Sequence, residues 1–245
     1  MRIWDINPGY LNRQSLLGEH RELHGIVSII INGKNGYAKH PETIRWIGYG
    51  WALKMRHKQL ACEMALRGYT DKSPVTTRSN KGQWPDIYID YPEQQFRLLK
   101  EKYTDREEGR IPLPKNEQQL WSHHKYSVLA RNPELYKKIG RDVSNTAVGF
   151  AKLSIQLTEV LREQPTEGGL RNAVQHMWGY VSDSSVESQA YITNWSLRKL
   201  LSETQKRAIE NDDSYLTSST ALSELMVWLP AVSYTHLTLP TTPYV

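Results

Sequence analysis

The first two dozen residues, MRIWDINPGYLNRQSLLGEHRELHGI, place an α-amine, a Pro8-Gly9 break and a helical pattern carrying Arg21-Glu22 in one stretch. An α-amine has a reference pKa of ~7.7–8.0, so part of it is neutral and nucleophilic near neutral pH. A lysine needs a much larger perturbation to reach that state. Beside a carboxylate, such an amine can attack a sugar carbon and form an imine, while the acid stabilises the developing positive charge and moves protons. Met1 and Glu22 are therefore the candidate catalytic residues. Arg2 and Arg21 are candidates for holding flanking phosphates.

Positioning these groups requires a helix over 15–31, for which Ser15 is a fair N-cap. Leu16, Leu23, Ile26, Val27 and Ile30 share one face of it, and Glu22 sits at the edge of that face with Gly18 and Gly25 a turn away on either side. Each helical glycine costs about 1 kcal/mol relative to alanine. A helix tolerates that where something approaches its backbone closely; here another helix is the first expectation, and the N-terminal segment or a ligand the second. Asn32-Gly33 ends this helix, and Pro41 opens the next, which Gly48-Tyr49-Gly50 interrupts. Residues 52–67 resume the pattern, with Lys54, Arg56, His57 and Lys58 together, and Arg67-Gly68 stops it.

Residues 70–95 and 104–116 read as irregular, with a short helix between them. From Glu117 the pattern is helical again, over 117–131, 133–144, 147–163, 169–182, 186–210 and 218–229, and no strand-period pattern of any length occurs. The expected fold is all-α, with two helical lobes: 1–75, a linker region over 76–116, and 117–230. Residues 231–245 contain SYTHLTLPTT, which resembles a translated sequencing-adapter read-through and is set aside; the native C-terminus is then expected to be missing.

The chain of 245 residues carries a net charge of +5, and the first 85 residues hold thirteen Lys and Arg against six Asp and Glu. The basic excess thus lies in the first third, where it suits a polyanion or simply a solvated surface. Eight Trp and fourteen Tyr against two Phe suit stacking on bases as well as half-buried packing. One cysteine, Cys62, excludes an internal disulfide and a Cys-rich zinc site, and is expected to be buried in a reducing compartment. Neither a signal peptide nor a membrane span is evident, and the expected location is cytoplasmic.

His20 and His24 are four apart and can share a metal, but no third ligand is evident and the order is not that of a zincin, so phosphate-facing or surface histidines are the expectation and no metal is assigned. His123-His124 reads as a polar pair on a helix. In the second lobe Asn172, Gln175, His176, Gly179 and Tyr180 form one stripe, either a ligand or nucleic-acid surface or, by a slight preference, an internal seam. Lys125, Tyr126, Arg131, Tyr136, Lys138 and Arg141 are candidate phosphate contacts or a solvated face.

RIWDINPGYLNRQSLLGEHRELHGI, with the later ACEMALRGY, resembles the pyrimidine dimer DNA glycosylases, also called the endonuclease V family of ultraviolet repair enzymes, over roughly residues 1–75. The resemblance implies a small all-α enzyme that cleaves the glycosidic bond of a pyrimidine dimer, nicks the strand by β-elimination, extrudes a nucleotide and needs no cofactor. It implies Glu22 as the catalytic glutamate, with Arg21 before it and Arg2 beside the nucleophile. The family's nucleophile is the amine exposed when the initiator Met is removed; here ungapped alignment puts Met1 at that position. Gly25 replaces an arginine of the family and Ser15 a histidine, so phosphate contacts are expected to move to His20, His24, Lys54, Arg56 or Lys58. HKYSVLARNPELYKKIGRDV and TEGGLRNAVQHMWGYV resemble the YbgA-like domain, a helical module of unassigned function, over about 117–230. The expected activity is a glycosylase with apurinic/apyrimidinic lyase activity on ultraviolet-damaged double-stranded DNA, acting as a monomer. The rival readings are a non-catalytic helical DNA-binding protein, and a chain whose C-terminal lobe is the active part.

Overall fold

A computed structural model describes residues 1–182 and 194–229, which are helical or irregular with no strand among them. Helix α1 spans Arg13–Asn32, α2 Pro41–Trp46, α3 Gly50–Leu66, α4 Pro92–Lys102, α5 Glu117–Leu129, α6 Pro133–Ser144, α7 Phe150–Arg162, α8 Glu167–Val181, α9 Leu197–Glu210, α10 Ser214–Thr217 and α11 Ala221–Glu224. Short 3-10 turns cover Pro8–Tyr10 and Leu225–Trp228. The all-α expectation holds, and the irregular stretches fall where Thr, Pro and charged residues cluster.

Several boundaries move for identifiable reasons. Asn12, not Ser15, caps α1: its side chain accepts the Ser15 amide at 2.9 Å, so the helix begins two residues earlier. Gly33 ends α1 in the left-handed region at φ 60°, and Gly48 turns the chain between α2 and α3 at φ 88°. The helix expected over 186–210 is described only from Leu197, capped by the Ser196 side chain. Residues 183–193 lie outside the described set, as do residues 230–245, where the read-through is expected. The pattern over 218–229 forms α11 and a 3-10 turn rather than one helix.

The core does not divide at residue 116. Leu16, Leu23 and Leu53 of the first segment join Leu120, Leu153 and Leu157 in one buried cluster. A second cluster gathers α8, α9 and the stretch from Leu216 to Leu229 around Tyr126 and Leu129, and includes Met55 of α3. Helix α5 feeds both clusters and is buried over most of its circumference, including His123, His124 and Ser127. The polar pair on this helix is therefore turned into the core. The Tyr10 hydroxyl lies 3.1 Å from His123 Nδ1 and 3.4 Å from His124 Nδ1, across the junction of the two segments.

Buried ion pairs brace this core, and sequence periodicity gives no sign of them. Glu63 accepts from Arg67 and Arg110, Asp5 pairs with Arg45 and Arg162, and Arg131 grips Glu224 with two nitrogens at 3.0 and 3.2 Å. Arg131 is thus internal, which removes it as a phosphate contact. Arg45, Arg56 and Arg67 also turn inward, so part of the basic excess of the first third never reaches solvent.

Candidate active site at the chain terminus

The N-terminal segment runs extended along α1, and the helix grips its backbone with two carboxylates. Arg2 N donates to Glu22 Oε2 at 2.5 Å, and Trp4 N donates to Glu19 Oε1 at 3.2 Å. The geometry follows from two repeats. Alternate residues of an extended chain point their amides to one side, and residues three apart on a helix share a face. Arg56 locks Glu19 through Nε at 2.7 Å and Nη2 at 2.9 Å, and its Nη1 reaches the Ile6 carbonyl at 2.9 Å. Burial pushes the Glu19 carboxyl up to about 7, against the opposing pull of Arg56 and the Trp4 amide. Further along, Asp5 N donates to Gln95 Oε1 at 2.8 Å, fixing the segment to α4.

Glu22 itself is only half buried. It opens onto a groove of about 310 Å³ lined by Arg2, Gln14, Gly18, Glu22, Leu98 and Lys102. The Met1 amine is three covalent bonds from Arg2 N, so it lies no farther than about 7 Å from the Glu22 carboxylate. A Cβ built on Gly18 or on Gly25 meets no atom within 4 Å. The expected helix packing at these glycines is therefore absent; Gly18 instead opens the groove floor.

The candidate cations divide. Arg2 stacks over Trp4 at 4.8 Å and pairs with Asp90 at 2.7 Å, which aims its guanidinium along the groove wall. Arg21 is exposed, with Nε on the Leu17 carbonyl at 3.1 Å. Lys58 is exposed and Lys54 half-exposed, so both are available to an anion. Arg56 is not: it is buried in its pair with Glu19, and its role is to hold the carboxylate that holds the Trp4 amide. His20 and His24 turn away from the groove toward His57, with ring centroids 4.7–5.2 Å apart in all three pairs. Burial lowers the His57 imidazole to about 4, and burial together with His20 lowers His24.

In the second segment the stripe is not an internal seam. Asn172, His176, Gly179 and Tyr180 are exposed and Gln175 is half-exposed, because Ala173, Val174, Met177 and Trp178 supply the buried face of α8. The Tyr180 ring packs against that of Tyr215 at 4.8 Å, tilted by 37°, and Lys125 Nζ lies over the Tyr126 and Tyr215 rings at 5.0 and 4.6 Å. Lys138 and Arg141 are exposed on α6, while Tyr136 packs half-buried on Trp121. Glu19, Lys102 and Asp90 are site residues that the sequence reading missed. Glu19 alone had a visible signal: it sits three residues before Glu22 on the same helix face.

Fold and groove together define an all-α protein in which a helical carboxylate, Glu22, and Arg2 of the extended N-terminal segment line one opening. Residues 1–77 match the family model described as pyrimidine dimer DNA glycosylase, and residues 125–224 match a family described as a protein of unknown function, DUF1722. The chain matches no curated protein and no solved structure. Among the described residues, no helix is long and apolar enough to cross a membrane.

Proposed function

We propose that the chain is a DNA glycosylase with apurinic/apyrimidinic lyase activity on ultraviolet-induced pyrimidine dimers in double-stranded DNA, with Met1 as the nucleophile and Glu22 as the acid–base residue. The observation that carries this reading is the Arg2 amide on Glu22 at the mouth of an open groove, within the segment that matches the glycosylase family. The Met1 amine attacks C1′ of one nucleotide of the dimer, and the C1′–N bond breaks; the departing base nitrogen takes up a proton, and the base stays tethered to its partner through the cyclobutane ring. The nitrogen loses a proton and the sugar ring opens to an imine. A proton then leaves C2′, and the C3′–O bond breaks by β-elimination, which nicks the strand. Water hydrolyses the imine and frees the amine. Glu22 shuttles the protons and stabilises the cationic intermediate.

Arg2, Arg21, Lys54 and Lys58 hold phosphates in this reading, and Lys102 joins Arg2 on the groove wall. The exposed Asn172, Gln175, His176 and Tyr180 stripe supplies a second, non-catalytic contact to the duplex, with Tyr180 and Tyr215 as stacking faces.

Borohydride trapping on an oligonucleotide carrying one defined pyrimidine dimer tests the proposal. The expected result is a covalent protein–DNA adduct mapping to Met1 and absent in Glu22→Gln. Folded protein that forms no adduct on either dimer or abasic DNA overturns it. Salt-sensitive binding without cleavage would then favour the non-catalytic DNA-binding reading.

A further inference from the structure

On the side of α1 away from the groove, four ligand-bearing side chains converge that the linear sequence keeps apart. His20 and His24 lie one turn apart on α1, His57 faces them from α3, and Asp71 closes the set from the irregular segment after α3. One ligand atom from each lies within 4.8 Å of all the others. The Nε2 atoms of all three imidazoles are buried, and none completes a hydrogen bond. Asp71 Oδ1 is 3.2 Å from His20 Nε2, and Oδ2 is 3.4 Å from His57 Nε2.

We propose that His20, His24, His57 and Asp71 form a structural site for a divalent first-row transition ion, zinc foremost. Three imidazole nitrogens and one carboxylate are donors that suit zinc, and a set of four protein ligands closes the coordination sphere. In a tetrahedron with metal–ligand bonds of 2.0–2.1 Å, neighbouring donor atoms sit about 3.3–3.4 Å apart; the two His–Asp contacts, to different oxygens of Asp71, are 3.2 and 3.4 Å. Drawing the widest pair onto one ion takes side-chain movements on the order of 1 Å. Three buried Nε2 atoms without a well-formed hydrogen bond, two of them sharing one carboxylate, are costly in any protein, and a shared cation satisfies all of them at once.

On a wheel of 100° per residue, His20 and His24 each stand two residues, or about 200°, from Glu22. The ion therefore does not touch the groove. It ties α1 to α3 and to the 70–74 segment, and so fixes the rotation of the helix that carries Glu19 and Glu22. The spacing of His20 and His24 already allowed a shared ion; the missing third and fourth ligands come from parts of the chain that only folding brings near.

The test uses the full chain without an affinity tag, stripped with EDTA and then titrated with zinc chloride, cobalt chloride or magnesium chloride. We expect about one zinc per chain by elemental analysis, a rise in melting temperature with zinc but not magnesium, and the visible absorption bands of tetrahedral cobalt. His57→Asn and Asp71→Asn weaken zinc at least about a hundredfold. Wild-type protein that is folded by circular dichroism, holds no zinc, shows no cobalt bands and melts identically with and without zinc overturns the proposal. The wild-type cobalt spectrum decides the matter even if a variant fails to fold.

Discussion

Arg2 N lies 2.5 Å from Glu22 Oε2, so the carboxylate that would handle protons also pins the residue next to the amine. Glu22→Gln separates these two roles. The amide oxygen of Gln still accepts the Arg2 N–H, so the loss in stability is expected to stay near about 1 kcal/mol. The charge and the proton-transfer capacity are gone, and strand cleavage is expected to fall at least about a hundredfold. Thermal melts beside single-turnover cleavage check both halves. A variant that cleaves at the wild-type rate removes Glu22 from the mechanism.

Arg56 and Lys58 stand two residues apart on α3 and are expected to behave oppositely. Arg56→Met leaves Glu19 buried without its partner, which costs about 3–5 kcal/mol and loosens the Trp4 amide contact. Lys58→Ala removes an exposed charge and shifts stability by no more than about 0.5 kcal/mol. It lowers the salt dependence of DNA binding by about one counterion. Chemical denaturation and binding at several salt concentrations distinguish the two. An Arg56→Met variant as stable as wild type would contradict the buried clamp.

The helical glycines make a paired experiment. Gly25→Ala and Gly18→Ala each add a methyl group to open space and are expected to raise stability by up to about 1 kcal/mol. Gly18→Phe puts a ring into the groove and is expected to abolish adduct formation in folded protein, whereas Gly25→Ala leaves it unchanged. Equal activity of the Gly18→Phe variant and wild type would show that the groove does not admit substrate.

Acid is expected to loosen the junction around Tyr10. Burial lowers the His123 imidazole to about 4 and the His124 imidazole to about 3 from the ordinary 6.5. Between those values and 6.5 the unfolded chain binds protons that the folded chain excludes, so stability rises with pH across that window and falls on acidification. His123→Asn should flatten the slope of melting temperature against pH between 6.5 and about 4. An unchanged slope would show that His123 titrates alike in both states.

What the sequence by itself determined was the class of structure and the local events. Helical periodicity made the chain all-α, and Gly33, Gly48 and Gly68 marked stops because only glycine enters the left-handed region freely. The RELHGI stretch and the neighbouring N-terminal motif made Glu22 and the chain start the candidates. Such signals act within a few residues, so one line of text records them. Tertiary structure decided which charges face inward and which side chains meet. Arg56 reads as a surface cation in a basic run, yet it turns to Glu19, 37 residues away. His123 and His124 read as a polar pair, yet they close on Tyr10, more than a hundred residues away. His57 and Asp71 carry no mark that they join His20 and His24. Pairing of buried polar groups is a property of three-dimensional neighbours, whose identity the order of residues along one helix does not encode.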